Sequence, residues 1–398
     1  MTYLSKRIKR ISVSQTLEMS KRSQELREKG VDIIDMSVGQ PDFPTPAHIK
    51  DAAKEAIEKN YTFYTPVPGY SELRKAIVEK LKRENGLEYS KNQIVVTNGA
   101  KQALANTILT LTNKGDEILV PTPYWVSYAE LINLAEGKNK FIQADISTNY
   151  KVTAEQIEKA ITKRTRILIY SSPSNPAGSV YSKEELEAIA NVIRKHDDLY
   201  VISDEIYEHI NFVGKHESIA QFDDIKDRVI VINGMSKGYA MTGWRLGYMA
   251  APEWIAESCI KLQGQYTSGA SSISQMAAIA ALQGDNIYTM GMNQAFKERR
   301  DLILSLLNEI PGFKTYVPEG AFYIFPQVKD YFGKINNYIN IKNASDLSMY
   351  LLNEAHVATV PGTAFGNPDC IRFSFAIGKN KISIAMERIK KALEELTS

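Results

Sequence analysis

Cysteine is nearly absent: Cys259 and Cys370 are too few and too far apart for a disulfide framework or a thiolate metal site. A reducing compartment fits that usage. No apolar run approaches the ~20 residues of a membrane-spanning helix. Neither sign of charge dominates, since 48 Lys and Arg stand against 46 Asp and Glu. That balance removes the electrostatic case for nucleic acid or an anionic membrane as partner. The start, MTYLSKRIKRISVSQTL, is basic and contains serines, as mitochondrial presequences do, but it lacks the apolar core of a secretory signal. Internal repeats and low-complexity segments are also missing. What remains is an ordinary globular composition, 44% hydrophobic and 24% charged, in a chain long enough for two or three domains.

The most informative stretch is VIVINGMSKGYAMTGWRLGYM, residues 229–249. Its apolar opening reads as a strand buried on both faces, followed by a small polar turn and Lys237. A lysine at the rim of a buried strand loses basicity by desolvation, and the free amine forms Schiff bases with carbonyls. Ser236 and Arg245 on either side could hold a phosphate by hydroxyl and guanidinium fork. Lysine for an aldehyde and these two for a phosphate together describe a pyridoxal phosphate site. Taken alone, a Ser-Lys pair is more often a solvated loop.

From Gln93 to Met249 short apolar runs alternate with helical patterns, which predicts a largely parallel sheet with right-handed crossovers. Four turns after its strands carry suggestive residues. TNGAK places Gly99, Ala100 and Lys101 at a helix start, where free N–H groups favour an anion. PTPYW ends in Trp125, which could stack on a flat ring. SSPSNPAG fixes Asn175 by its proline neighbour. SDEIY puts Asp204 just past a strand's carboxyl end, where open sheets hold ligands, with Tyr207 three residues on. Each alone reads as a cap or a core residue; their predicted co-location at one sheet edge is the argument for a site.

Earlier in the chain, Gln15–Lys29 reads as a helix, 31–36 as a strand, and Pro46 as the first residue of another helix. Gly39 in SVGQPDFPTP could allow close backbone approach to a ligand, and Tyr64 is either a loop aromatic or a hydroxyl donor to an anion. Helical patterns run to Gly284 and over 286–308. An antiparallel α+β texture then follows, with a strand over 320–325 and a last helix over 381–396. Arg372, in the apolar strand CIRFSF, needs an anion: a substrate carboxylate or an internal salt bridge.

Together these segments resemble the fold-type I pyridoxal phosphate enzymes, in particular the class I aminotransferases of the prokaryotic aspartate aminotransferase type. SKGYAMTGWRLGY carries the resemblance most specifically, supported in order by VGQPDFPTP, TNGAKQAL, PYWVSY, SNPAG, SDEIYEH and IRFSFA, over essentially the whole chain. It implies an α/β fold. A large cofactor-binding domain (45–290) would have a mostly parallel central sheet flanked by helices, beside a smaller α+β domain (291–398) joined by an N-terminal arm (1–44).

The resemblance also implies roles. Lys237 would be the Schiff-base lysine and proton carrier, Asp204 the partner of the pyridinium nitrogen, and Tyr207 the donor to the ring oxygen. Asn175 would reach that oxygen and the substrate, with Trp125 stacked on the ring. Gly99, Ala100, Lys101, Ser236 and Arg245 would hold the phosphate. Tyr64 would reach the cofactor of a neighbouring subunit, which implies a homodimer, and Arg372 with the Gly39 backbone would bind the substrate carboxylate. No metal is implied, and the length before VGQPDF implies a cytoplasmic protein.

Lys101 also stands where this subgroup contacts the distal carboxylate of acidic substrates. The expected reaction is therefore L-aspartate plus 2-oxoglutarate to oxaloacetate plus L-glutamate, by a ping-pong cycle through pyridoxamine phosphate. Alternatives on the same scaffold are an aminotransferase for aromatic amino acids, alanine or prephenate, or a β-lyase. Relatives active on prephenate carry a basic residue where Ser12 stands, with only Lys9 and Arg10 nearby here, which argues against that acceptor. Lys101 argues against the lyase, and the lack of a helix-turn-helix before the cofactor domain against a transcription regulator.

Overall fold

A computed structural model describes residues 3–13, 15–336 and 339–397. A two-residue strand, β1 (Ile34–Asp35), comes first. Seven strands then build the main sheet: β2 (Ile94–Thr97), β3 (Glu117–Pro121), β4 (Lys138–Ile142), β5 (Thr165–Ser171), β6 (Tyr200–Asp204), β7 (Val229–Gly234) and β8 (Gly247–Ala250). Their order is β2-β8-β7-β6-β5-β3-β4, with β3 to β7 paired in parallel and β8 antiparallel to both neighbours. The alternation of side chains across each strand loads both faces. Leu119, Leu168, Val201 and Val231 enter one core, and Ile118, Ile167, Ile202 and Ile232 enter the core on the opposite face. At roughly 1.5–3 kcal/mol for each aliphatic side chain fully buried, this double-sided burial fixes the register.

Beyond the 22-residue helix Ile287–Asn308 lie β9 (Tyr323–Ile324), β10 (Ile335–Asn336), β11 (Ile339–Asn340), β12 (Val357–Ala358), β13 (Val360–Pro361) and β14 (Ile371–Ser374). β13-β14-β9 form an antiparallel sheet, while β1 pairs in parallel with β12. A third core gathers Phe296, Phe322, Phe373 and Phe375 together with Ile34 and Met36 from the chain's beginning.

Several expectations need correction. The strand expected over 31–36 is only Ile34–Asp35, because Val31 turns back onto the preceding helix through its N–H to the Leu26 carbonyl at 3.1 Å. That over 320–325 is only Tyr323–Ile324. Pro46 is the N-cap, with extended ψ of 147°, and the helix begins at Ala47. The last helix spans Lys379–Glu394. β4 and the short helix Ala154–Ala160 were not foreseen.

Candidate active site

Asp204 is the final residue of β6, Lys237 follows β7, Asn175 follows β5, Trp125 follows β3, and the Gly99–Ala100 turn follows β2. Because β8 runs the other way, Arg245 in the turn before it reaches the same edge. Parallel strands present their carboxyl ends together, so topology alone converges these side chains. Ala100, Lys101, Trp125, Asn175, Asp204 and Tyr207 line one cavity of about 340 Å³. Ser236, Lys237, Arg245, Arg372 and Gly39 complete its wall. Tyr64 lies outside it and is 98% exposed.

Lys237 donates through Nζ to the Gly39 carbonyl at 2.5 Å. Burial, reinforced by the positive charges of Arg372, Arg245 and Lys101, lowers its pKa to about 8. Asp204 is buried, and burial pushes its carboxyl up to about 6 despite hydrogen bonds from the Tyr128 hydroxyl (2.7 Å) and the Ile206 N–H (3.3 Å). A cation brought to Asp204 would reverse that shift.

Behind Asp204 a buried polar network braces residues 205–209. Glu205 accepts from Ser203 (2.9 Å) and Ser218 (2.6 Å) and pairs with His216 at 3.0 Å. Lys80, 1% exposed, pairs with Glu208 and donates to Asn85 at 2.8 Å. Buried charges are tolerated when paired in this way.

Arg372, on β14, is 2% exposed. It donates through Nη1 to Asn175 Oδ1 at 3.0 Å and through Nη2 to the Ser37 carbonyl at 2.5 Å. Its Nε is buried without a hydrogen-bond partner, and among the described residues no carboxylate pairs with it. An internal salt bridge is thereby excluded among those residues. Burial lowers its pKa, so its charge is sustained at a cost that an incoming anion would repay.

The helix Ala100–Leu111 begins at Gly99 with no side-chain cap. Gly99 has φ of +79°, and a Cβ there would meet the Arg245 guanidinium at 2.5 Å. The close backbone–guanidinium approach leaves a polar cradle of helix N–H groups, Arg245 and the Ser236 hydroxyl. Lys101 lies over the Trp125 ring, Nζ 5.0 Å from its centroid. Tyr207 turns its hydroxyl to Tyr323, 2.7 Å away.

Residues the sequence reading passed over also belong here. Tyr128 holds Asp204 from the first turn of the helix Ser127–Leu134, within the same PYWVSY segment that supplies Trp125. Tyr323 sat unnoticed in an aromatic strand. Thr16, Leu17 and Ser20 bring the helix Gln15–Glu28 to the cavity mouth, a placement that no local pattern announces.

Solved structures share this fold. The aspartate aminotransferase from Rhizobium meliloti superposes with a TM-score of 0.96 at 40% identity, covering the whole of both chains. The chain belongs to the family described as aminotransferase class I and II, whose pattern it matches over residues 31–389. Among named relatives, a bifunctional aspartate aminotransferase and glutamate/aspartate-prephenate aminotransferase of Petunia hybrida is 45% identical, over 98% of this chain and 82% of that one. An aspartate/prephenate aminotransferase of Nitrosomonas europaea is 43% identical, over 98% and 99%. Among the described residues no helix is long and apolar enough to cross a membrane.

Proposed function

We propose that this chain is a pyridoxal phosphate-dependent aminotransferase acting on L-aspartate and 2-oxoglutarate. The carrying observation is Arg372, a buried guanidinium without a carboxylate partner among the described residues, on the wall of the cavity that holds Lys237.

The residues present suit that cofactor. The Gly99–Ala100 turn, Lys101, Ser236 and Arg245 would hold its phosphate, Trp125 its ring face, Asp204 its ring nitrogen, and Tyr207 and Asn175 its ring oxygen. When bound it supplies an aldehyde for the amino group and an electron-withdrawing ring that acidifies the substrate Cα. Lys237 Nζ, with its pKa near 8, is available as a free base to take the Cα proton. Asp204 would pair with the ring nitrogen and favour its protonated form. Arg372 binds the substrate α-carboxylate in a bidentate fork, and Asn175, bonded to Arg372, orients the same end. Lys101 at the rim would take the distal carboxylate, which favours a four- or five-carbon dicarboxylic substrate.

The same reading makes the enzyme a homodimer. Tyr64 and Phe63, 98% and 79% exposed, stand on a loop free to enter a partner's site. Residues 45–290 would form the large unit, and 1–44 with 291–398 the small one. A third core drawn mainly from those two segments supports this, with Tyr207, Ile210 and Ala240 joining it from the large unit. A cytoplasmic location accords with two unpaired, buried thiols. Prephenate is a second acceptor suggested by the names of the Petunia and Nitrosomonas relatives. Arg10, the basic residue nearest Ser12 on one side, is held by Glu136 at 2.9 Å, which weighs against it.

The test is an absorbance spectrum of the purified protein, repeated after adding L-aspartate and then 2-oxoglutarate. A near-visible band that aspartate bleaches and 2-oxoglutarate restores supports both cofactor and substrate. A band indifferent to aspartate removes the substrate assignment, and no band after added pyridoxal phosphate removes the whole reading.

A further inference from the structure

Tyr323 touches three residues that the proposed function needs. β9 pairs with β14 so that Tyr323 faces Ser374 directly and Arg372 diagonally, on one side of the sheet. A diagonal pair is within reach of an aromatic ring and a long cationic side chain. The Arg372 guanidinium accordingly lies over the Tyr323 ring, 4.5 Å from its centroid. At its other end the Tyr323 hydroxyl meets that of Tyr207 at 2.7 Å, with the two rings edge to face at 79°. The hydroxyl also closes on Gly39, where any Cβ would strike it. Tyr323 is 1% exposed, so this arrangement is packed rather than solvated.

We propose that Tyr323 is a positioning residue that fixes the Tyr207 hydroxyl and the Arg372 guanidinium relative to each other, tying the ring-oxygen donor to the carboxylate fork. This rests on the roles given above to Tyr207 and Arg372.

One proton occupies the gap between two phenol oxygens. A Tyr207 that gives its own proton to an acceptor in the cavity must receive one from Tyr323. Burial raises the pKa of both phenols, so Tyr323 retains a proton to give. Receiving that bond makes Tyr207 a stronger donor through hydrogen-bond cooperativity. The ring face, meanwhile, presents electron density to Arg372 in a desolvated setting and sets the plane of the fork. Gly39 without a side chain is the condition for the hydroxyl to lie where it does.

Two variants separate the two ends. Tyr323→Phe keeps the ring and removes the donor, while Tyr323→Leu removes both. In holoenzyme, the pH midpoint of the near-visible absorbance should rise in Tyr323→Phe, because a weaker Tyr207 donor stabilises an anionic ring oxygen less. Asp204, Lys237 and Arg372 face the hydroxyl pair and are unchanged in both variants. Maleate, a dicarboxylate probe measured by calorimetry, should bind Tyr323→Phe within about twofold of wild type and Tyr323→Leu roughly tenfold or more weakly, the scale of a buried cation–π contact. Adding Tyr323→Phe to Tyr207→Phe should shift the midpoint no further.

A Tyr323→Phe midpoint equal to wild type, or an equal shift in the Tyr207→Phe background, overturns the link to Tyr207. Unchanged maleate affinity in folded Tyr323→Leu overturns the link to Arg372. A wild-type protein with no absorbance band overturns the functional reading and this inference together, whereas a normal wild type beside an unaltered Tyr323→Phe overturns this inference alone.

Discussion

Tyr128 and Asp204 are joined by a hydrogen bond of 2.7 Å, phenol to carboxyl, with both groups buried. The bond partly offsets the burial that drives Asp204 up to about 6. Tyr128→Phe should therefore push that pKa higher and weaken the carboxylate's hold on a ring nitrogen. A hydrogen bond to a charged group contributes about 1.5–3 kcal/mol, so pyridoxal phosphate affinity should fall by roughly tenfold or more. Fluorescence titration of the cofactor-free protein measures this, and an unchanged Kd would remove the role.

Lys237 should capture the cofactor with a rate that climbs through pH 8 and flattens above it, because its free amine dominates there. After burial, Arg372 is the largest cause of the lowering. Replacing it by leucine removes a positive charge and should move the midpoint upward. Stopped-flow capture rates across pH 6–10 give both midpoints; the idea fails if the Arg372→Leu midpoint stays put or falls.

The Lys80–Glu208 pair should matter for stability rather than chemistry. Burial opposes ionisation of Glu208, but Lys80, His209 and His216 outweigh it and hold the carboxyl well below the usual range. Its contribution is present above the unfolded carboxyl pKa of about 4.3 and declines as pH falls below that. Lys80→Met removes the principal charge partner of buried Glu208, leaving Asn85 and His209 beside it. It should cost up to about 3–5 kcal/mol, much of it recovered in Lys80→Met/Glu208→Leu. Denaturant midpoints of the two proteins at pH 7 decide the matter, equal destabilisation being the adverse result.

A mixture of Lys237→Ala and Tyr64→Ala subunits, refolded together, should be more active than either parent at limiting cofactor. Hybrid dimers contain one site in which neither substitution falls. Activity no higher than the average of the parents would show that Tyr64 serves no neighbouring site.

How much of this was legible depended on where each signal lay. The buried strands announced themselves as aliphatic runs, and their ends and following turns held Asp204, Lys237 and Asn175 at positions that topology brings together. Asp204, expected just past its strand, closes β6 itself. β4, KNKFI, was silent because it is a sheet edge paired only with β3, with Lys138 in solvent and little apolar pattern. β1 contributes two residues whose partner, β12, lies near the other end of the chain, and local sequence carries no trace of such a pairing. Tyr323 went unnoticed because its contact with Arg372 follows from the β9–β14 register, which composition does not encode.

The reversal of β8 has a consequence for how this scaffold can change. The β7–β8 connection delivers Lys237 and Arg245 from a single excursion of chain, with Gly234 and Gly247 paired at its base. Adding or removing a residue there would displace Lys237 and Arg245 in one stroke, with no independent adjustment of either. Connections at the opposite rim carry none of the cavity's chemistry, so length variation should accumulate there, and grafts or tags belong on that side of the molecule.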